Sequence, residues 1–152
     1  MIDFKNLSSN QRFLLNIIVP MAYLFPLLLA YFGPKDFGFG FRGLVYFGLS
    51  IGAMGVLLWI SAMWTLGSSL AVLPGTDQLV TKGVYRVFRH PVYIGIVLTL
   101  TGLFVACGST LCLIYVMVVV IPLNIFRATA EEKVLLEQLG PAYQQYKEST
   151  FL

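Results

Sequence analysis

Four apolar runs with few charges between them constrain this chain more than any other feature. They fall at about Phe13–Phe32, Leu44–Leu66, Val92–Ala106 and Thr110–Phe126. Crossing the hydrocarbon core takes about 20 apolar residues in a helix. Lipid offers the backbone no hydrogen bonds, so such runs predict helices, whose N–H and C=O groups pair within the segment. Only 11% of the residues are charged, against about a quarter in a soluble domain. The expectation is an all-α integral membrane protein of about four transmembrane helices, forming one domain over residues 1–152. Pro20 and Pro26 should kink the first helix, and Pro122 lies near the end of the fourth. Only Cys107, Gly108 and Ser109 separate the last two runs, which predicts a tight helical hairpin.

Basic residues orient this bundle. Lys5, Arg12, Lys82, Arg86, Arg89, Arg127, Lys133 and Lys147 fall on one side, and Lys35 and Arg42 on the other. The positive-inside rule then puts both termini in the cytosol. The net charge of +3 is modest, and the basic residues flank apolar runs without forming a patch. They suit anionic lipid rather than nucleic acid. The first apolar run is too long for a signal-peptide core and lacks a small-residue cleavage pattern after it, so it is kept as a membrane helix. After Arg127 the chain reads as a cytosolic amphipathic helix, with Leu135, Leu136 and Leu139 on one side. Gly140 and Pro141 should end it and start another, on which Tyr143 and Tyr146 share a face.

Three lesser signals have ordinary explanations. Cys107 and Cys112 sit in apolar sequence and read as small buried residues, with a disulfide or metal role as the alternative; no metal is expected. Gly38, Gly40 and Gly43 match a dinucleotide-binding glycine pattern but follow a membrane helix instead of a strand, so they read as a turn. Gly48, Gly52 and Gly55 make a small face in the second run, suited to close packing within the chain or to a homodimer contact.

The polar chemistry gathers at one side of the bundle. Lys82, Arg86, Arg89 and His90 stand between the second and third runs. Pro91 suits the first turn of the third helix, whose free N–H groups attract anions. Tyr85 and Tyr93 add hydroxyls and ring faces. This is either a ligand pocket or a basic membrane anchor with interfacial tyrosines. Arg127 and Glu131 share a helix face at i, i+4 and could simply pair with each other. Yet an arginine ending a membrane span is costly unless it reaches water or a partner, and its guanidinium suits a carboxylate or phosphate. Glu131 and Glu132 suit a cation, an amino group or ribose hydroxyls.

Gly83, Val84 and Tyr85, then Arg89 through Gly95 (RHPVYIG), then Arg127, Glu131, Glu132, Leu136, Gly140, Tyr143 and Tyr146 resemble the isoprenylcysteine carboxyl methyltransferase family and its relatives, the phospholipid methyltransferases. The resemblance covers about Gly75–Lys147. It implies a membrane methyltransferase using S-adenosylmethionine, with no metal. It implies that Asp77, Gln78, Leu79, Val80, Tyr85, His90, Pro91, Val92, Tyr93 and Glu131 line the cofactor site. Arg127 then meets the substrate, and Arg127, Glu131 and Glu132 are the catalytic candidates. Relatives often carry His where Asp77 stands and Phe where Leu139 stands, and the chain stops soon after Tyr146, which predicts reduced cover over the cofactor.

The leading expectation is carboxyl methylation of a prenylated cysteine or similar lipid acid reached from the bilayer. A carboxylate nucleophile needs no base, so Arg127 is expected to orient it. N-methylation of phosphatidylethanolamine is the runner-up, with Arg127 on the phosphate and Glu131 or Glu132 receiving a proton. More distant alternatives are a membrane reductase, whose family ends in a similar RHPxYxG pattern, and a non-enzymatic tetraspan scaffold or transporter.

Overall fold

A computed structural model describes residues 9–38, 41–67 and 79–151, with side chains from residue 17 onward. The described residues are organised as helices: α1 (Ser9–Phe32), α2 (Arg42–Leu66), a 3-10 turn (Gly83–Arg86), α3 (Pro91–Cys107), α4 (Thr110–Leu139) and α5 (Pro141–Ser149). Two of them, α2 and α4, are long and apolar enough to cross a membrane, while the apolar stretches Ile17–Phe32 and Pro91–Cys107 are shorter. Less than a quarter of the apolar window of α2 or α4 is buried inside the chain. Outward-facing Phe47, Leu57, Trp64, Met117 and Val118 therefore need an apolar surrounding rather than water.

One boundary differs from the expectation. The fourth run and the segment after Arg127 are a single helix, α4, not a span followed by a separate amphipathic helix. A π-helical turn, Val116–Val120, interrupts its regular hydrogen bonding. Pro122 has no N–H to give the Val118 carbonyl, so the α-helical ladder is already broken here. The wider turn absorbs the mismatch, and the chain stays helical. The break at Gly140 is where the sequence puts it, with φ +51° at Gly140 and Pro141 opening α5.

Proline also organises α1. Pro26 cannot donate to the carbonyl four residues back, that of Ala22. The Tyr115 hydroxyl on α4 donates to this oxygen at 3.2 Å. Nearby, the buried Cys112 thiol points at the Pro26 carbonyl, 3.7 Å away. Cys112 belongs to the apolar core with Leu100, Phe104, Val116 and Val120.

The tightest packing joins α2 to α3. A methyl group on Gly48 would meet the Gly102 carbonyl oxygen at 2.6 Å, and one on Gly95 would meet the Gly55 carbonyl at 2.9 Å. The two helices meet backbone to backbone, as small-residue faces allow. The Gly48/Gly52 face, considered above also for a homodimer, is covered by α3 within the single chain.

The α3–α4 turn follows from Gly108, whose φ of +68° is a left-handed conformation suited to glycine. Its carbonyl accepts the N–H groups of Asp36 (2.8 Å) and Phe37 (3.2 Å) from the α1–α2 connection. Asp36 in turn accepts the Thr110 N–H at 2.8 Å and so caps α4. Both connections thus meet at one end of the bundle, leaving the 3-10 turn, the end of α4 and α5 at the other. The Thr110 N–H holds the Asp36 carboxyl below its ordinary pKa. A depressed folded-state pKa stabilises the fold above the ordinary carboxylate value and stops doing so as pH falls through the folded one. The melting temperature of wild type should therefore drop relative to Asp36→Asn between about pH 6 and pH 3; parallel curves would sink this assignment.

Candidate active site

Pro91 at the first position of α3 sacrifices no hydrogen bond, because that N–H has no partner in any helix. The His90 carbonyl starts the helix, accepting from Tyr93 N–H at 3.1 Å and Ile94 N–H at 3.2 Å. The rings of His90 and Tyr93 lie nearly parallel, with centroids 5.8 Å apart. Both face α4, where consecutive glutamates meet them. The buried Tyr93 hydroxyl donates to Glu131 Oε1. His90 Nδ1 stands 3.8 Å from Glu131 Oε2, and its Nε2 lies 3.2 Å from Glu132 Oε1. One imidazole is therefore held between two carboxylates.

The two carboxylates differ in their company. Glu132 accepts Lys147 Nζ of α5 at 2.7 Å, and Arg89 Nε stands 3.7 Å away, close enough for charge attraction but too far for a hydrogen bond. Two cations and His90 thus surround Glu132, which makes it the knot between α3, α4 and α5. Glu131 has the neutral Tyr93 hydroxyl as its hydrogen-bond donor. One helical turn earlier, the Arg127 guanidinium carbon lies 5.3 Å from the centre of the Tyr93 ring, a cation–π distance. Arg127 and Glu131 meet through Tyr93, one at its face and the other at its hydroxyl.

The end of the chain closes against this site. The Tyr146 hydroxyl donates to the Tyr85 carbonyl at 2.7 Å. Phe151 N–H donates to the Val87 carbonyl (2.9 Å), and Arg89 N–H donates to the Phe151 carbonyl (3.1 Å). Residues 146–151 are thus stitched to the segment just before His90. Burial pushes the Tyr85, Tyr143 and Tyr146 phenols above their ordinary pKa, so all three stay protonated at neutral pH. Because Lys147 is partly exposed, Lys147→Ala should cost no more than about 1 kcal/mol. The cost should shrink in high salt; an equal loss of melting temperature at low and high salt would show that the lysine acts through packing.

A family model described as phospholipid methyltransferase matches residues 44–142. The chain belongs to that family. No curated protein and no solved structure matches it. As a member of the phospholipid methyltransferase family, the protein is a membrane-bound methyltransferase that uses S-adenosylmethionine. The site suits such a donor chemically: Glu131 offers negative charge to a sulfonium or ammonium group, beside a tyrosine ring and a helix N-terminus. Among the described residues, no group of three or more His, Cys, Asp or Glu stands ready for a metal.

Of the residues the sequence singles out, His90, Tyr93, Arg127, Glu131 and Glu132 come together. Pro91 is buried behind them, and Val92 is half-buried on the same turn. Tyr85 is buried, with its carbonyl engaged by Tyr146. Leu79 and Val80 are half-buried in irregular chain, and Asp77 and Gln78 lie outside the described residues. Sequence reasoning missed Asn124, buried three residues before Arg127, and its partner Tyr23. An asparagine inside an apolar run was the available signal, since a polar group there needs an internal partner.

Proposed function

We propose that this methyltransferase transfers a methyl group to the headgroup of a membrane phospholipid bearing an amine, at the end of the bundle where His90, Tyr93, Arg127 and Glu131 meet. The observation that carries the reading is Tyr93, whose ring faces Arg127 and whose hydroxyl meets Glu131. It brings an anion-binding cation and a lightly neutralised carboxylate to one point. When bound, S-adenosylmethionine supplies an electrophilic methyl on a cationic sulfur. Arg127 holds the lipid phosphate, and Glu131 accepts the proton that the amine must lose before it attacks. Glu132, surrounded by Arg89, His90 and Lys147, keeps His90 and α5 in place instead of moving a proton. The helices carry this site at the cytosolic face as four spans with both termini in the cytosol, so that donor and lipid reach it from water and bilayer.

The match to the phospholipid methyltransferase family moves the amine acceptor ahead of the prenylcysteine carboxylate. Glu131 favours the same order, since a second carboxylate beside it is repelled. The carboxylate remains the second reading because of the LVTKGVYRVFRHP stretch (residues 79–91). Incubating the protein with methyl-labelled S-adenosylmethionine and vesicles containing phosphatidylethanolamine and a farnesylated cysteine separates them. Label that stays on phospholipid after treatment with base supports the amine; label released as methanol supports the carboxylate. Reporters fused to the two termini should both read cytosolic, and a split result overturns the four-span arrangement.

A further inference from the structure

Asn124 is 5% exposed, near the end of the apolar part of α4. A buried amide needs partners, because leaving one unpaired in an apolar surrounding costs several kcal/mol, about 2–7 depending on the reference state. Its Oδ1 accepts the Tyr23 hydroxyl of α1 at 2.5 Å, and its Nδ2 points at the Tyr93 carbonyl of α3 at 3.4 Å. The amide therefore ties three helices together three residues before Arg127. Arg127 follows Asn124 by one turn on the same face of α4, so the Tyr23–Asn124 bond anchors the turn from which the guanidinium extends. Arg127 thus has the Tyr93 ring against its guanidinium and the amide that anchors both Tyr23 and Tyr93 one turn before it. Nothing in the match over residues 44–142 assigns a role to α1, which ends at Phe32.

We infer that Tyr23, bonded to Asn124, is a positioning residue that acts through Asn124 and the Tyr93 ring to fix the Arg127 guanidinium for the anionic group of the lipid. A flexible arginine at a membrane surface samples many rotamers, and a substrate must then order it on binding. Asn124, fixed by Tyr23, steadies Tyr93, and the Tyr93 ring holds the head of the arginine in advance, which lowers that cost. The first helix is therefore part of the substrate site. This inference rests on the proposed role of Arg127 in holding lipid.

The test is a double-mutant cycle of Tyr23→Phe and Arg127→Ala, read in methyl transfer to phosphatidylethanolamine vesicles and in thermal denaturation. Tyr23→Phe should raise the lipid KM about five- to tenfold, which is about 1–1.4 kcal/mol. It should change kcat and the affinity for S-adenosylmethionine much less, and in the Arg127→Ala background it should raise KM no further. A purely structural tyrosine would lower the melting temperature and leave the KM-to-kcat pattern alone. An unchanged KM, or an equal rise with and without Arg127, overturns the inference. If wild type methylates neither amine nor carboxylate lipids, the proposed function fails while the thermal cycle still reports the coupling: shifts less than additive keep Tyr23 coupled to Arg127, and additive shifts remove the coupling.

Discussion

Gly102→Ala should be among the costliest single methyl groups to add at the described glycines. Its new Cβ would stand 2.5 Å from the Gly48 carbonyl oxygen and 2.7 Å from Gly52 Cα. Both obstacles are backbone, so no side chain can turn aside, and α2 must move off α3. Overpacking of this kind costs about 1–3 kcal/mol or more, and backbone against backbone belongs at the upper end. At about 3 kcal/mol the melting temperature in detergent should fall by roughly 6–12 °C for a chain of this size. Gly52→Ala is the internal control: its nearest neighbours, Leu103 N and the Thr99 carbonyl, would lie 3.6 Å from the added carbon, an ordinary contact. Replacing a mid-helix glycine there should be neutral or gain up to about 1 kcal/mol of helix propensity. Equal melting temperatures for the two variants would mean that the helices do not meet along these glycines.

Glu131→Gln should remove most of the activity and leave the fold standing. The amide cannot accept a proton from an amine or offer a full negative charge to a sulfonium. Loss of a positioned base typically costs about 10²- to 10⁴-fold in rate. The Tyr93 hydroxyl can still donate to the amide oxygen, so stability should change little. Glu132→Gln should behave in the opposite way, because it leaves Arg89, His90 and Lys147 without their shared counter-charge. Its first effect should be a lower melting temperature, with the Lys147 tie to α5 weakened. Turnover by initial rates and unfolding by scanning fluorimetry, measured on both variants, check the division. If Glu132→Gln abolishes turnover at full stability while Glu131→Gln is active, the two roles are exchanged.

The helices could be read from the sequence because lipid admits few alternatives to them, and the apolar runs mark them within a few residues. The continuity of α4 could not. Its apolar content drops sharply after Phe126 (residues 127–139 hold all of its charges), and nothing in local composition says whether a helix ends there or leaves one surrounding for another. The partners of the glycine face were in plain view as Gly95 and Gly102, seven residues apart. Gly95 closes the RHPVYIG pattern, and Gly102 has no local signal. His90, Tyr93, Arg127, Glu131 and Glu132 were legible because charges are costly where these apolar runs end. The division of labour between Glu131 and Glu132 was not, since it depends on Lys147 and Arg89 arriving from other segments. Tyr23 lies 101 residues from Asn124, and no pattern within one helix connects them.

The bond from Tyr115 to the Ala22 carbonyl makes two distant positions conditional on each other. With proline at 26, the Ala22 oxygen has no donor in its own helix, and the tyrosine hydroxyl carries a duty it would not have beside an alanine. With alanine at 26, the helix closes its own ladder and the same hydroxyl becomes superfluous. Substitutions at 115 should therefore be tolerated or rejected according to what stands at 26, so the effect of a mutation in α4 is set by the history of α1.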